Sequence, residues 1–427
     1  PIRHFVLDAP VNQLIPEPRR KGFAAIDALS HLHLLHSTSE RILAKHSLAH
    51  GQFAVTAMSP RADLLLRAVE PGTIHGYRLD NEHPEISLSS LFAATWYEGY
   101  EQPIFSWQSS SADNDFEPKF SLTPLLFGTL KAAFYALLFA VPLAVMGALY
   151  SAYSMSPAMR SVVKPAIEIM AALPTVILGF LAAVWLAPLI ESNLAGVLSV
   201  VVVLPLSIIA LSWFFQQLPS AYRGRLQGWY ALICIPVVII AISVALSLDQ
   251  LLEQHLFGGS SKTWLAETLG LDYDQRNALV VGLAMGFAVV PTIFTIAEDA
   301  IHGVPRHLIT GSLALGATRF QTLLRVVLLT ASPGIFSAVM IGMGRAVGET
   351  MIVLMATGNT PIMDMNLFEG MRTFAANIAI ELPESEVGGT HYRILFLTAL
   401  VLFLLTFAFN TVAELVRQRL RDRYGEL

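Results

Sequence analysis

Two charges stand inside a long apolar run near the C-terminal end of the chain: Arg345 and Glu349, in the segment GRAVGET. On a continuous helix a spacing of four puts both on one face. A charge in a membrane helix costs about 2.5–3.5 kcal/mol on insertion scales, so it faces a bundle interior or a water-filled path rather than lipid. The planar fork of Arg345 can donate two parallel hydrogen bonds to an oxyanion. Glu349 suits holding or gating that arginine better than touching an anion. The same pair can also be read as an ion pair that locks a bundle, and spacing alone leaves both readings open.

A second candidate precedes it. Glu298 and Asp299 close one apolar run, facing solvent, the following loop or a partner. Leu308–Leu315 then reads as a short helix, Gly316-Ala317-Thr318 as a break, and Arg319–Leu329 as a second helix. Gly316 suits the left-handed turn between them. A short helix–turn–helix between two spanning helices would form a knob with basic edges, either a docking element or an ordinary interfacial loop. Glu168 reads as interfacial, and Gly342, Gly344 and Gly348 as sites of close helix approach.

The elements that must position these residues follow from composition. The chain has 427 residues, 54% hydrophobic and 14% charged, with mean hydropathy +0.57, against about 25% charged in a soluble domain. The excess lies beyond Thr123. Spanning helices need about 20 mainly apolar residues, and seven runs qualify: Leu122–Tyr153, Pro165–Ile190, Leu194–Phe215, Trp229–Leu248, Ala278–Ile296, Gly334–Thr357 and Ile394–Phe409. The third and fourth, which contain Pro205 and Pro236, read as a hairpin of spans or as partly interfacial. The net charge of −5 gives no reason to expect a nucleic-acid partner. Cys234, the one cysteine, lies in an apolar run and cannot form an internal disulfide.

Lys and Arg in the connections set the orientation. With the 298–333 connection inside, the cytoplasmic side receives Arg160, Lys164, Arg223, Arg225, Arg306, Arg319, Arg325 and the tail arginines 417, 419, 421 and 423. The outer connections keep only Lys262, Arg276, Arg372 and Arg393 among many acids. The expected organisation is an outer, periplasmic part at 1–121, a membrane part at 122–415 and a cytoplasmic tail at 416–427. Since an outer N-terminal part needs a membrane helix ahead of it, further sequence is expected upstream. In that part GFAAID, HLHLLH, RILAKHSL, FAVTAMS, DLLLRAVE and GTIHGYRLD read as strands separated by turns. The stretch from Ala54 to Asp80 resembles one blade of a β-propeller. Its histidines, His31 and His33 among them, read as exposed strand residues rather than metal ligands.

The run SLALGATRFQTLLRVVLLTASPGI followed by GRAVGETMIVLMATGN is similar to the permease subunits of phosphate-specific ABC transporters. PIFSWQSSS, FSLTPLLFGTLK and AALPTVILGF resemble longer members with a large outer domain. The resemblance covers most of residues 90–415. It implies an all-α polytopic helix bundle, here preceded by a β-rich, propeller-like fragment. It further implies a pore half working with a second related permease, two ATP-binding subunits and a periplasmic phosphate-binding protein. Arg345 and Glu349 would then lie on the substrate pathway. Glu298, Asp299, Thr310, Gly311, Ser312, Gly316, Ala317, Thr318 and Arg319 would couple to the ATPases. Two departures stand out: Thr310-Gly311-Ser312 replaces the family's Glu-Ala-Ala, and Leu328-Leu329 replaces its Leu-Pro. The region 194–248 looks like an added helix pair. No G-x-x-x-x-G-K-[ST] occurs, since GGSSKT at 258–263 lacks the spacing, so ATP would be used by partners and no cofactor is expected on this chain. A permease for sulfate or molybdate, and a membrane-anchored sensor, are the alternative readings.

Overall fold

A computed structural model of the chain describes residues 3–18, 20–49, 55–111, 116–217, 219 and 230–424. Ala54, Arg223, Arg225 and Trp229 lie outside the described residues. The chain divides into two compact units, residues 1–126 with 384–398, and 127–383 with 399–427.

In the first unit the six segments read as strands all form strands. Val11–Pro16 (β1), Gly22–Asp27 (β2), His31–His36 (β3) and Arg41–Ser47 (β4) make an antiparallel meander in sequence order. Val55–Met58 (β5), Leu64–Glu70 (β6) and Thr73–Arg78 (β7) make a second antiparallel sheet. The stretch read as a blade therefore carries three strands, and the four-stranded sheet lies ahead of it. No closed barrel forms among the described residues. Ile15, Ala24, Ile26, Leu32, Leu48 and Leu65 fill the core between the sheets. The β2–β3 turn is held by Asp27, whose Oδ1 accepts the backbone N–H groups of Leu29 and His31. Its Oδ2 faces His31 Nδ1 at 3.2 Å and His33 Nε2 at 3.1 Å. Burial pushes the Asp27 carboxyl up, but the hydrogen bonds from the His31 backbone and from the two imidazoles outweigh it and hold it at about 2. His33 and His36 are buried, not exposed, because each ring has a partner inside: the turn aspartate, six residues before it, for His33, and Ser39 Oγ at 3.1 Å for His36. No group of three or more His, Cys, Asp or Glu among the described residues is arranged to hold a metal.

The second unit is helical. The spans of the chain include Thr123–Ser154 (α2, after a short α1 at Leu88–Phe92), Thr175–Ser192 (α4) and Leu194–Gln217 (α5). They continue with Ala278–His302 (α8), Arg319–Val347 (α10) and Thr390–Arg419, part of Thr390–Tyr424 (α13). A bent pair, Ile233–Ser247 and Asp249–Leu256, turned by 45°, would make a seventh; its two helices run over Tyr230–Ser247 (α6) and Asp249–Leu256 (α7). Pro157–Met170 (α3) is a separate helix, so the run read as one span from Pro165 is broken. Three turn-type hydrogen bonds close residues 171–173, and Pro174 in extended conformation starts a new helix.

Small residues let these helices approach. Ala132, Ala136, Ala140, Ala144 and Ala148 form a buried row at four-residue spacing along α2. Gly286 of α8 sits so close that a Cβ would stand 3.1 Å from the Ala136 carbonyl oxygen. α8 is the central helix, with 67% of its apolar window buried, while α5 keeps only 17% buried. α7 is fastened to α5 by Asp249, buried, whose Oδ1 accepts the Gly196 N–H at 2.7 Å.

Candidate functional site

Arg345 and Glu349 do not share a helix face. α10 ends at Val347, Gly348 caps it, and a short helix, Met351–Ala356 (α11), restarts after Thr350. Glu349 sits in the break, where the N–H groups freed at the start of α11 need an acceptor. Its Oε1 takes Met351 N–H at 3.2 Å and Ile352 N–H at 3.5 Å. Arg345, half-buried in the last turn of α10, donates from Nη1 to Thr292 Oγ1 of α8 at 2.8 Å. No carboxylate among the described residues lies within 4 Å of its guanidinium, so the pair is not a locking ion pair. The result is a cation held by a neutral hydroxyl, next to a helix break.

Two of the nearby glycines pack as read from sequence. A Cβ at Gly342 would meet Ile293 Cγ1 at 2.5 Å, so α8 and α10 touch there, and one at Gly344 would stand a tight 3.3 Å from Asn410 Oδ1 of α13, whereas one at Gly348 would meet only the carbonyls of Gly344 and Arg345, at 3.7 and 3.9 Å.

The loop between α8 and α10 carries Arg306–Ala314 (α9) and then runs directly into α10. The second helix expected at Arg319–Leu329 is thus the first turns of the spanning helix and not a separate member of a knob. Gly316 has φ +85°, with its N–H on the Leu313 carbonyl and the Ala317 N–H on the Ser312 carbonyl, the paired bonds of a Schellman stop. Thr318 caps α10 in a reciprocal box with Gln321. Thr310 turns its hydroxyl back to the carbonyls of Arg306 and His307, and Ser312 Oγ meets Thr322 Oγ1 at 3.0 Å. Gly311, Thr318 and Arg319 are exposed, and Ala317 half-buried. The tip is apolar: Leu315 is 91% and Phe320 68% exposed. Replacing Gly316 by alanine should cost the tip about 1–2 kcal/mol, the left-handed penalty for a residue with a Cβ. Hydrogen exchange of residues 306–322 in the full-length protein in detergent should accelerate accordingly, and unchanged exchange would show that the turn is not held left-handed.

Glu298, read as facing solvent, the following loop or a partner, is turned inward instead. It is 0% exposed and is enclosed by Arg160 and Lys164 of α3, while Asp299 pairs with Lys164 on the exposed side.

Lys131 escaped the sequence reading, although it is the one Lys or Arg in the Leu122–Tyr153 run. It is 1% exposed, and its Nζ donates to the carbonyls of Glu369 at 3.3 Å and Gly370 at 3.5 Å. On the same helix Tyr135 donates to the Met365 carbonyl. Arg372 pairs with Glu381 at the end of Phe374–Glu381 (α12). These contacts seat the segment between α11 and α12 on α2.

Residues 140–422 match the family described as binding-protein-dependent transport system inner membrane component. The chain belongs to that family. Among similar proteins, the probable ABC transporter permease protein YqgH of Bacillus subtilis is 25% identical over 71% of this chain and 74% of its own length. The phosphate transport system permease protein PstC of Mesorhizobium japonicum is 27% identical over 79% of this chain and 85% of its own. PstA 1 of Mycobacterium tuberculosis, also a phosphate transport system permease protein, is 32% identical over 36% of this chain and 48% of its own. As an inner membrane component of this family the chain is a multi-pass protein of the inner membrane, and its apolar spans are membrane helices. The region of the match contains α8, the α9 tip, Arg345 and the Glu349 break.

Proposed function

We propose that this chain is one half of the transmembrane pore of an ATP-driven phosphate importer. The observation that carries the reading is the similarity to PstC proteins over most of the chain. The chemistry of the helix interior supports it. Arg345 has no carboxylate partner among the described residues and carries a fork suited to a tetrahedral oxyanion, and Thr292 aims that fork without neutralising it.

In this reading the α9–α10 tip lies in the cytoplasm, which follows the bias of Lys and Arg in the connections, and the β-rich unit lies in the periplasm. Two ATP-binding subunits grip the tip through Leu315 and Phe320. A second, related permease completes the pore, and a periplasmic binding protein delivers phosphate. The chain itself hydrolyses nothing and needs no bound cofactor; ATP is spent by its partners.

The test is uptake of labelled phosphate by cells that lack their own high-affinity system and express this protein full length with its neighbouring genes. Unlabelled phosphate should abolish the signal, and sulfate or molybdate in equal excess should not. Uptake displaced by sulfate or molybdate would move the substrate to that oxyanion. No uptake of any of the three, with the protein in the membrane, would sink the transport reading in favour of a sensor.

A further inference from the structure

α3 contains no fully buried residue, though Ile167 packs half-buried against the core, so apolar packing alone does not fix where it lies. Charge does. Glu298 is fully enclosed one turn before the end of α8 and faces two cations of α3, Arg160 Nε at 2.5 Å and Lys164 Nζ at 3.0 Å. Arg160 Nη1 also lies 2.7 Å from His302 Nδ1, the last residue of α8. A buried ion pair is a poor source of stability, because desolvation offsets much of the attraction. It is nevertheless a strict way to fix position, since pulling the charges apart strands a buried carboxylate.

The two helices joined in this way lead to different places. Beyond Glu298 the chain leaves α8 and enters the α9 tip within a few residues. Tyr153, just ahead of α3, donates to the carbonyl of Arg319 at 3.3 Å, so the start of α3 is tied to the far side of the tip as well. At its other end α3 passes through Pro174 into α4. There Gly179 lies against α11, where a Cβ would stand 2.9 Å from the Met351 carbonyl oxygen and 3.0 Å from the Ile352 Cα. Those are the residues whose N–H groups Glu349 accepts. A contiguous line of close contacts therefore runs from the tip, through the Glu298 cluster, α3 and α4, to the helix break beside Arg345.

We propose that Glu298, clamped by Arg160 and Lys164, is a positioning residue that carries displacement of the α9–α10 tip through α3 and α4 to the Glu349 break. This assigns Glu298 an internal role in coupling rather than a contact with a partner, and it rests on the transport reading above. The helix pair transmits motion because the clamp makes α3 follow α8, whereas apolar contacts on α3 would let it slide.

The experiment uses the whole transporter with its partner subunits in liposomes, reading phosphate transported and ATP hydrolysed in the same vesicles. Glu298→Gln keeps the shape and removes the charge. Phosphate moved per ATP should fall about tenfold, within the usual span of coupling between two sites, while ATP hydrolysis persists. Lys164→Met, which leaves Arg160 on the carboxylate, should lower the same ratio by a smaller factor, and it carries the test if Glu298→Gln fails to assemble. A proportional loss of transport and hydrolysis, with the ratio constant, would make the cluster merely structural and overturn the proposal, as would an unchanged ratio at full activity. Absence of ATP-driven uptake in the wild type is a different result, one that removes the transport reading itself.

Discussion

Arg345→Ala should reduce phosphate uptake by at least about thirtyfold, with the protein still present in the membrane in normal amount. Removing one partner of a desolvated charge contact costs about 2–5 kcal/mol, and 1.4 kcal/mol is a factor of ten. The low end of that range gives the thirtyfold figure. What makes the low end a safe floor is the absence of a carboxylate on Arg345. Its hydrogen bond goes to the Thr292 hydroxyl, so truncation strands no anion and the protein should fold as before. Arg345→Lys keeps the charge and loses the fork, and should fall between alanine and wild type. Glu349→Gln should matter far less, because an amide oxygen can still accept the Met351 and Ile352 N–H groups. Uptake at the wild-type rate in Arg345→Ala would remove this side chain from the pathway.

The helix break beside Arg345 is hidden in the sequence. GRAVGET reads as uninterrupted helix because Ala, Val and Met are compatible with helix and a single glycine is tolerated there. What ends α10 is that Gly348 accepts the cap and Glu349 then captures the next helix's free N–H groups, a local competition that a pattern of apolar residues does not record. The strands of the outer unit were legible because alternation and turn residues are both local signals; all six segments fall on β2 to β7. The membrane helices were legible because hydrocarbon demands a length. Their breaks at Pro174 and after Leu248 were less so, since proline within a span either kinks it or ends it. Pro142, Pro205 and Pro291 lie inside continuous helices here, and Pro174 does not. The role of Glu298 was out of reach for another reason. An acid at the end of an apolar run looks solvated until a partner helix, more than a hundred residues earlier in the chain, brings Arg160 and Lys164 to it. Lys131 is the same case with carbonyls in place of a carboxylate.

Two glycine-to-alanine changes in helices should have opposite signs. At Gly311, in α9, a Cβ meets nothing within 4 Å, so alanine should stabilise the helix by up to about 1 kcal/mol through propensity alone. At Gly128, in α2, the same methyl would stand 2.1 Å from the carbonyl oxygen of Arg372 and 2.9 Å from its carbon. That neighbour is backbone and cannot rotate away. Nor can the segment easily retreat as a body: Thr129 Oγ1 holds the Phe374 N–H at 3.1 Å, Lys131 holds the carbonyls of Glu369 and Gly370, and Arg372 is tied to Glu381. Overpacking of a fitted interior costs about 1–3 kcal/mol and sometimes more; subtracting the helix gain of about 1 kcal/mol leaves a net loss near 2 kcal/mol at the upper end. Thermal unfolding of the protein in detergent should show a lowered midpoint for Gly128→Ala and an unchanged or raised one for Gly311→Ala. Hydrogen exchange should rise in residues 365–376 of the first variant and stay constant around Thr292 and Arg345. If exchange rises at both places, the segment seated on α2 also supports the interior around Arg345; if it rises at neither, the methyl is absorbed by movement of α2, and the seat of Gly128 on Arg372 is looser than the contacts around it require.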